Sequence, residues 1–122
     1  MKTVAIRGAT TVENNTAESI LEATRELLVE IERNNNIDRD RVISIIFSST
    51  SDLDKVYPAK AARQLGYINA ALMCFNELNV VGSIDKCIRV MILYNSDLEQ
   101  KEVKHIYLKE AKALRPDLSF KA

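Results

Sequence analysis

Arg89 stands in the middle of Cys87-Ile88-Arg89-Val90-Met91-Ile92-Leu93, a run that otherwise has the composition of a buried strand. An unpaired guanidinium buried there would cost several kcal/mol, so Arg89 must face a partner or a wet cavity. Arg7 closes another short run on the face of Thr3 and Ala5, and Glu77 follows a third by two residues. Two readings fit these charges. In one, Arg89 and Glu77 form a structural ion pair between adjacent strand ends. In the other, two guanidiniums meet an anionic ligand whose hydroxyl the carboxylate takes. Arginine suits the second, because its planar fork grips a carboxylate bidentately and keeps its proton.

No other pattern supplies a reaction centre. Gly8, Gly66 and Gly82 are isolated, so there is no phosphate-cradling loop, and no serine lies in a nucleophile-elbow context. Cys74 ends an apolar run and has His105 as its only imidazole base; the plainer reading is a thiol that packs. One histidine and two separated cysteines do not make a four-ligand zinc site, so no metal is expected. Tyr57 and Tyr107 read equally as amphipathic pocket walls or as core edges.

The elements that must position these residues follow from periodicity. Lys2 to Arg7 reads as a strand, with Val4 and Ile6 on one face, broken at Gly8 and followed by a loop or further extended chain. Asn15 or Thr16 caps a helix, with Glu18 three residues after Asn15 in capping-box position. Ile20, Thr24, Leu27, Leu28 and Ile31 give that helix one apolar face, Glu18, Glu22, Glu26 and Glu30 a solvated one, and Asn34 to Asn36 end it. Val42 to Ser48 is a second strand, with Ile43, Ile45 and Phe47 on one face. Pro58 and Gly66 bracket a short helix over Ala59 to Leu65. Ile68 to Phe75 is almost wholly apolar, the pattern of a central strand covered on both sides. Cys87 to Tyr94 is a fourth strand, and Lys101 to Leu108 a last one before one or two helical turns. The order β-α-β-α-β-β-β gives a single α+β or α/β domain over residues 1–122, a mixed sheet with helices on one face.

Composition narrows the function classes. The 122 residues carry 17 basic and 17 acidic side chains, a balance that argues against a nucleic-acid binder or a polybasic membrane-surface protein. Apolar residues at 47% and charged residues at 28% are those of a soluble globular domain. The longest uncharged run, Leu65 to Asn76, is too short to span a bilayer, and Met1 to Arg7 is no secretory signal, so a cytoplasmic protein is expected.

Several stretches, in the same order and over essentially the whole chain, give a resemblance to a family. Ile6-Arg7-Gly8-Ala9-Thr10-Thr11-Val12-Glu13, Tyr57-Pro58-Ala59-Lys60-Ala61-Ala62-Arg63, Lys86-Cys87-Ile88-Arg89-Val90-Met91, His105-Ile106-Tyr107-Leu108 and Leu114-Arg115-Pro116-Asp117-Leu118 resemble the motifs of the monofunctional, trimeric α/β class of chorismate mutase. The resemblance implies a homotrimer with a pseudo-α/β-barrel core and active sites in the clefts between subunits. It implies chorismate as substrate and prephenate as product, with no cofactor. Arg7, Arg89 and Tyr107 are similar to the family's substrate-binding residues, and Met73, Cys74, Phe75, Asn76 and Glu77 to its pocket strand end. Tyr57 and Arg63 match the wall and cation that a neighbouring subunit contributes, Tyr57 standing where the family has Phe. The implied roles put Arg89 at the ether oxygen, Arg7 and Tyr107 on the side-chain carboxylate, Glu77 and Cys74 on the ring hydroxyl, and Arg63 on the second carboxylate. Two rivals remain: a non-catalytic sensor that binds an aromatic-pathway carboxylate with the same arginines, and a small trimeric imine or enamine hydrolase of similar shape, which must activate water.

Overall fold

Thr16 starts the main helix by accepting the Ser19 N–H on its side-chain oxygen at 3.1 Å, which satisfies one of the free donors of the first turn. The helix, α1 (Ala17–Asn35), buries the stripe from Ile20 to Ile31 and ends where Asn36 takes a left-handed conformation. The computed structural model describes residues 1–114 of the chain. Its other elements are β1 (Lys2–Thr11), β2 (Val42–Ser49), α2 (Ala59–Leu65), β3 (Ala71–Asn76), β4 (Cys87–Ser96) and β5 (Ile106–Tyr107), with short 3-10 turns at Arg39–Arg41, Gln100–Glu102 and Lys109–Ala113. The five strands form one sheet in the order β3-β2-β4-β1-β5. β4 runs antiparallel to both β1 and β2, whereas β2–β3 and β1–β5 are parallel pairs, so the sheet is mixed as expected.

One face of the sheet carries both helices. Ile6, Ile45, Phe47 and Ile92 meet Leu27, Leu28 and Ile31 of α1 and Ala59 and Ala62 of α2 in the main core. The other face is covered at one end, where Ala9, Cys87 and Tyr107 are buried with Ala111 of the 3-10 segment, and open toward β3, where Met73 and Phe75 are exposed; its register matters for everything that follows.

Four sequence expectations are corrected. β1 does not stop at Gly8 but continues to Thr11. Glycine is required there because a Cβ would lie 2.9 Å from both the Ile106 carbonyl oxygen and the Ile31 Cδ1, so the residue marks a close approach of β5 and α1 rather than a break. In β2 the register shifts between Val42 and Ser44, so Ile43 is left exposed and Val42 joins the buried face. β3 begins at Ala71 rather than Ile68 and is an edge strand, not a central one. Its apolar composition covers only one side against the core; Met73 and Phe75 are more than half exposed, at 58% and 52%. The last strand shrinks to two residues, and the expected helical turns follow it as the 3-10 segment through Ala113.

Candidate active site

On the open face, the pairings of the ladder line up one residue from each strand. Phe75 pairs with Ser48, Ser48 with Arg89, Arg89 with Ala9, and Ala9 with Tyr107. Arg89 is therefore the centre of a row that crosses the entire sheet. Arg7 lies two residues from Ala9 on the same face, opposite Met91, which makes it the diagonal neighbour of Arg89 and within reach of a long side chain.

Glu77 closes the row beyond β3. Its backbone N–H donates to the Ser49 carbonyl at 2.9 Å, prolonging the β2–β3 pairing by one step. Its carboxylate accepts the Ser48 hydroxyl at 2.6 Å and stands 3.3 Å from the Arg89 Nε. That Nε is buried, yet it is not aligned for a hydrogen bond with any described group. The arrangement is thus an ion pair with a polar donor left over, and a buried donor without an acceptor is costly. With Arg7 beside it, the face holds two guanidiniums and one carboxylate, a net positive site. Burial pushes the Cys87 thiol up, partly offset by the Arg89 guanidinium next to it.

The other predicted site residues divide between three places. The Tyr107 ring is buried in a small cluster with Ala9, Cys87 and Ala111 at one end of the row. Cys74 pairs with Phe47 and packs toward the helix-side core, so the structure does not bring it onto the face of Arg89 and Glu77. The cause is strand parity: Met73 and Phe75 occupy the open face, and their neighbour Cys74 must occupy the other. Cys74, Phe75 and Asn76 instead border an open groove of about 780 Å³ with Tyr57 and Pro58. Arg63 is exposed on α2, across the sheet from Arg89, so one chain does not bring these two cations together.

A Cys74–His105 nucleophilic pair is not assembled either. Cys74 is on β3 at one edge of the sheet, whereas His105 adjoins β5 at the opposite edge, four strand spacings or about 19 Å away. His105 instead accepts the backbone N–H of Arg7 on Nδ1 at 2.9 Å. Ser48 is the site residue that sequence reasoning missed; only the pairing of β2 with β4 shows that it faces Arg89. Among the described residues no group of three or more His, Cys, Asp or Glu could hold a metal ion, and no helix is long and apolar enough to cross a membrane. Arg115 and the rest of the Leu114–Leu118 motif after Leu114 lie outside the described residues.

Comparisons with known proteins place the whole chain in one family. The family model for chorismate mutase type I matches residues 3–118. Chorismate mutase AroH of Bacillus subtilis (strain 168) is 44% identical over 115 residues, covering 93% of this chain and 91% of that protein. Chorismate mutase AroH of Thermus thermophilus is 46% identical over 114 residues, covering 93% of each. A solved structure of chorismate mutase from Clostridium thermocellum superposes with a TM-score of 0.87 at 52% identity, over 89% of this chain and 97% of that one.

Proposed function

Since the chain belongs to the chorismate mutase type I family, we propose that it isomerises chorismate to prephenate in clefts between three copies of itself, with Arg89 at the reacting ether oxygen. The protein is an isomerase of aromatic amino-acid biosynthesis. The reaction is an intramolecular Claisen rearrangement, which asks for no nucleophile, no base and no redox group. What the protein must do is hold a flexible dianion in its folded, reactive conformer and stabilise the charge that appears as the ether bond breaks.

The single observation that carries the reading is the buried Arg89 Nε, which has Glu77 at ion-pair distance but no aligned acceptor. A guanidinium so held has donors in place for an oxygen that becomes negative only in the transition state, which is electrostatic preorganisation of the oxyanion-hole kind. Arg7 and Tyr107 take the side-chain carboxylate, and Glu77, oriented by Ser48, takes the ring hydroxyl. Cys74 lies toward the helix side, so its thiol is not assigned to that hydroxyl.

The assembly rests on two features. Arg63 and Tyr57 sit across the sheet from Arg89 or at its β3 edge, so a cleft with all the cations requires a neighbouring subunit. The open face also leaves Met73, Phe75 and Met91 exposed, as apolar surface that a second copy would cover. Both cysteines are free thiols, which suits a cytoplasmic protein.

The test is loss of chorismate by the purified chain. Because no proton moves in the chemical step, kcat should be nearly flat from about pH 5 to 9, with little solvent isotope effect. Binding without turnover would make the protein a sensor, and a bell-shaped kcat profile would point to acid–base chemistry instead.

A further inference from the structure

β5 is only two residues long, so most of the outer edge of β1 must find its hydrogen bonds elsewhere. Two side chains supply them. The Gln100 amide brackets Ala5, accepting its N–H on Oε1 and donating Nε2 to its carbonyl, each at 2.7 Å. The next outward N–H, that of Arg7, goes to His105 Nδ1 at 2.9 Å. The strand pairing itself resumes at Gly8 and Ala9, opposite Ile106 and Tyr107.

The segment that presents His105 is itself anchored. Asn35, buried in the last turn of α1, donates its amide to the Lys104 carbonyl at 2.9 Å and accepts the Lys104 N–H on Oδ1 at 2.8 Å. The same amide nitrogen also reaches the Ile31 carbonyl at 3.0 Å, so Asn35 is tied to its own helix while it holds residue 104 at both backbone atoms. A chain of bonds thus runs from the end of α1, through the backbone of Lys104, to the imidazole, and on to the peptide from which the Arg7 side chain projects.

We propose that His105 is a positioning residue for substrate binding: its Nδ1, held in place by the Asn35–Lys104 bonds, fixes the Arg7 backbone and so aims the Arg7 guanidinium. This rests on the role given to Arg7 above. An accepting Nδ1 carries no proton, so the bond needs an acceptor at that point and not a charge or a ring. Asparagine offers one, since its Oδ1 is as many bonds from the backbone as Nδ1; phenylalanine keeps the ring and removes the acceptor.

The experiment is steady-state kinetics on chorismate with His105→Phe, His105→Asn, Arg7→Ala and the Arg7→Ala/His105→Phe double variant, with assembly mass measured on each. A carboxylate contact made equally in ground and transition states appears in KM rather than kcat. His105→Phe should raise KM by about three- to tenfold, the span of one lost hydrogen bond, with kcat changed less. His105→Asn should stay within about twofold of the parent chain on the same reasoning. In the double variant the histidine change should add almost nothing to Arg7→Ala, because residues acting through one another are non-additive. Full additivity, or an unchanged KM in His105→Phe while Arg7→Ala loses binding, would overturn the inference alone. An Arg7→Ala chain with the parent KM would overturn the reading of Arg7 and this one with it. If His105→Phe does not fold, His105→Ala takes its place; failure of both, beside a normal asparagine variant, would assign His105 to stability and not to Arg7.

Discussion

Truncating Arg89 separates the two tasks that a charge in this row can have. If it meets the charge that appears at the ether oxygen, Arg89→Ala should lower kcat by on the order of 10²–10³, the usual loss when one oxyanion donor is removed. Arg89→Lys keeps the charge but not the fork and should recover only part of that rate. Prephenate should still bind within about tenfold, because Arg7, Tyr107 and Arg63 remain for its carboxylates. Kinetics and product titration on one preparation decide this; retained kcat would make Arg89 the structural ion-pair residue it also resembles. Arg89 was legible in the sequence because a guanidinium inside an apolar run is expensive unless something meets it. Ser48 was not, since nothing in Val42 to Ser48 says which β4 residue it will face. Cys74 was legible as a strand-end residue but not in its direction, which depends on where β3 begins and on its parity with Phe75 and Glu77.

Among the elements, those with strong local signals were readable: α1 from its stripe and cap, α2 from Pro58 and Gly66, β4 from its composition. The strand order was not, because pairing is non-local, and an apolar run such as Ile68 to Phe75 looks the same at an edge as in the centre. Nor did the sequence disclose how the helices are joined. Tyr67, just past α2, donates its hydroxyl to the Glu32 carboxylate of α1 at 2.5 Å, and Arg39 grips the same carboxylate through Nε at 2.7 Å and Nη2 at 3.0 Å. The Arg39 guanidinium also lies 5.5 Å from the centre of the Tyr67 ring. Burial, with Glu32 as hydrogen-bond partner, pushes the Tyr67 phenol well above its ordinary value of 10.0. The folded value exceeds the unfolded one, so the phenol's contribution to stability is full below about pH 10 and is lost as pH rises beyond it. Melting temperature should therefore fall more steeply above about pH 10 in the parent chain than in Tyr67→Phe. Equal slopes in thermal melts across that range would remove Tyr67 from the account.

For the whole molecule, the site we propose between subunits predicts complementation. Arg63→Ala and Arg89→Ala chains, each nearly inactive alone, should regain activity when refolded together, because mixed assemblies contain some clefts with both arginines. No recovery in mixed assemblies verified by native mass spectrometry would put Arg63 outside the site or both residues in one subunit's pocket. The order of the strands has another consequence, which concerns how the chain is made. β1 is the first of these strands to be synthesised, yet among the described residues its sheet partners are β4 and β5, at Cys87–Ser96 and Ile106–Tyr107. At about 5–20 residues per second, β1 waits on the order of 4–17 s for β4 to be translated. Throughout that interval its edges are open, and α1, joined later by α2, is what can shield its apolar side. Arrested nascent chains exposed from the exit tunnel only as far as residue 80, before β4, should be held by chaperones, and chains exposed through residue 114 should lose that association; equal association at both lengths would remove the wait for β4 from the account.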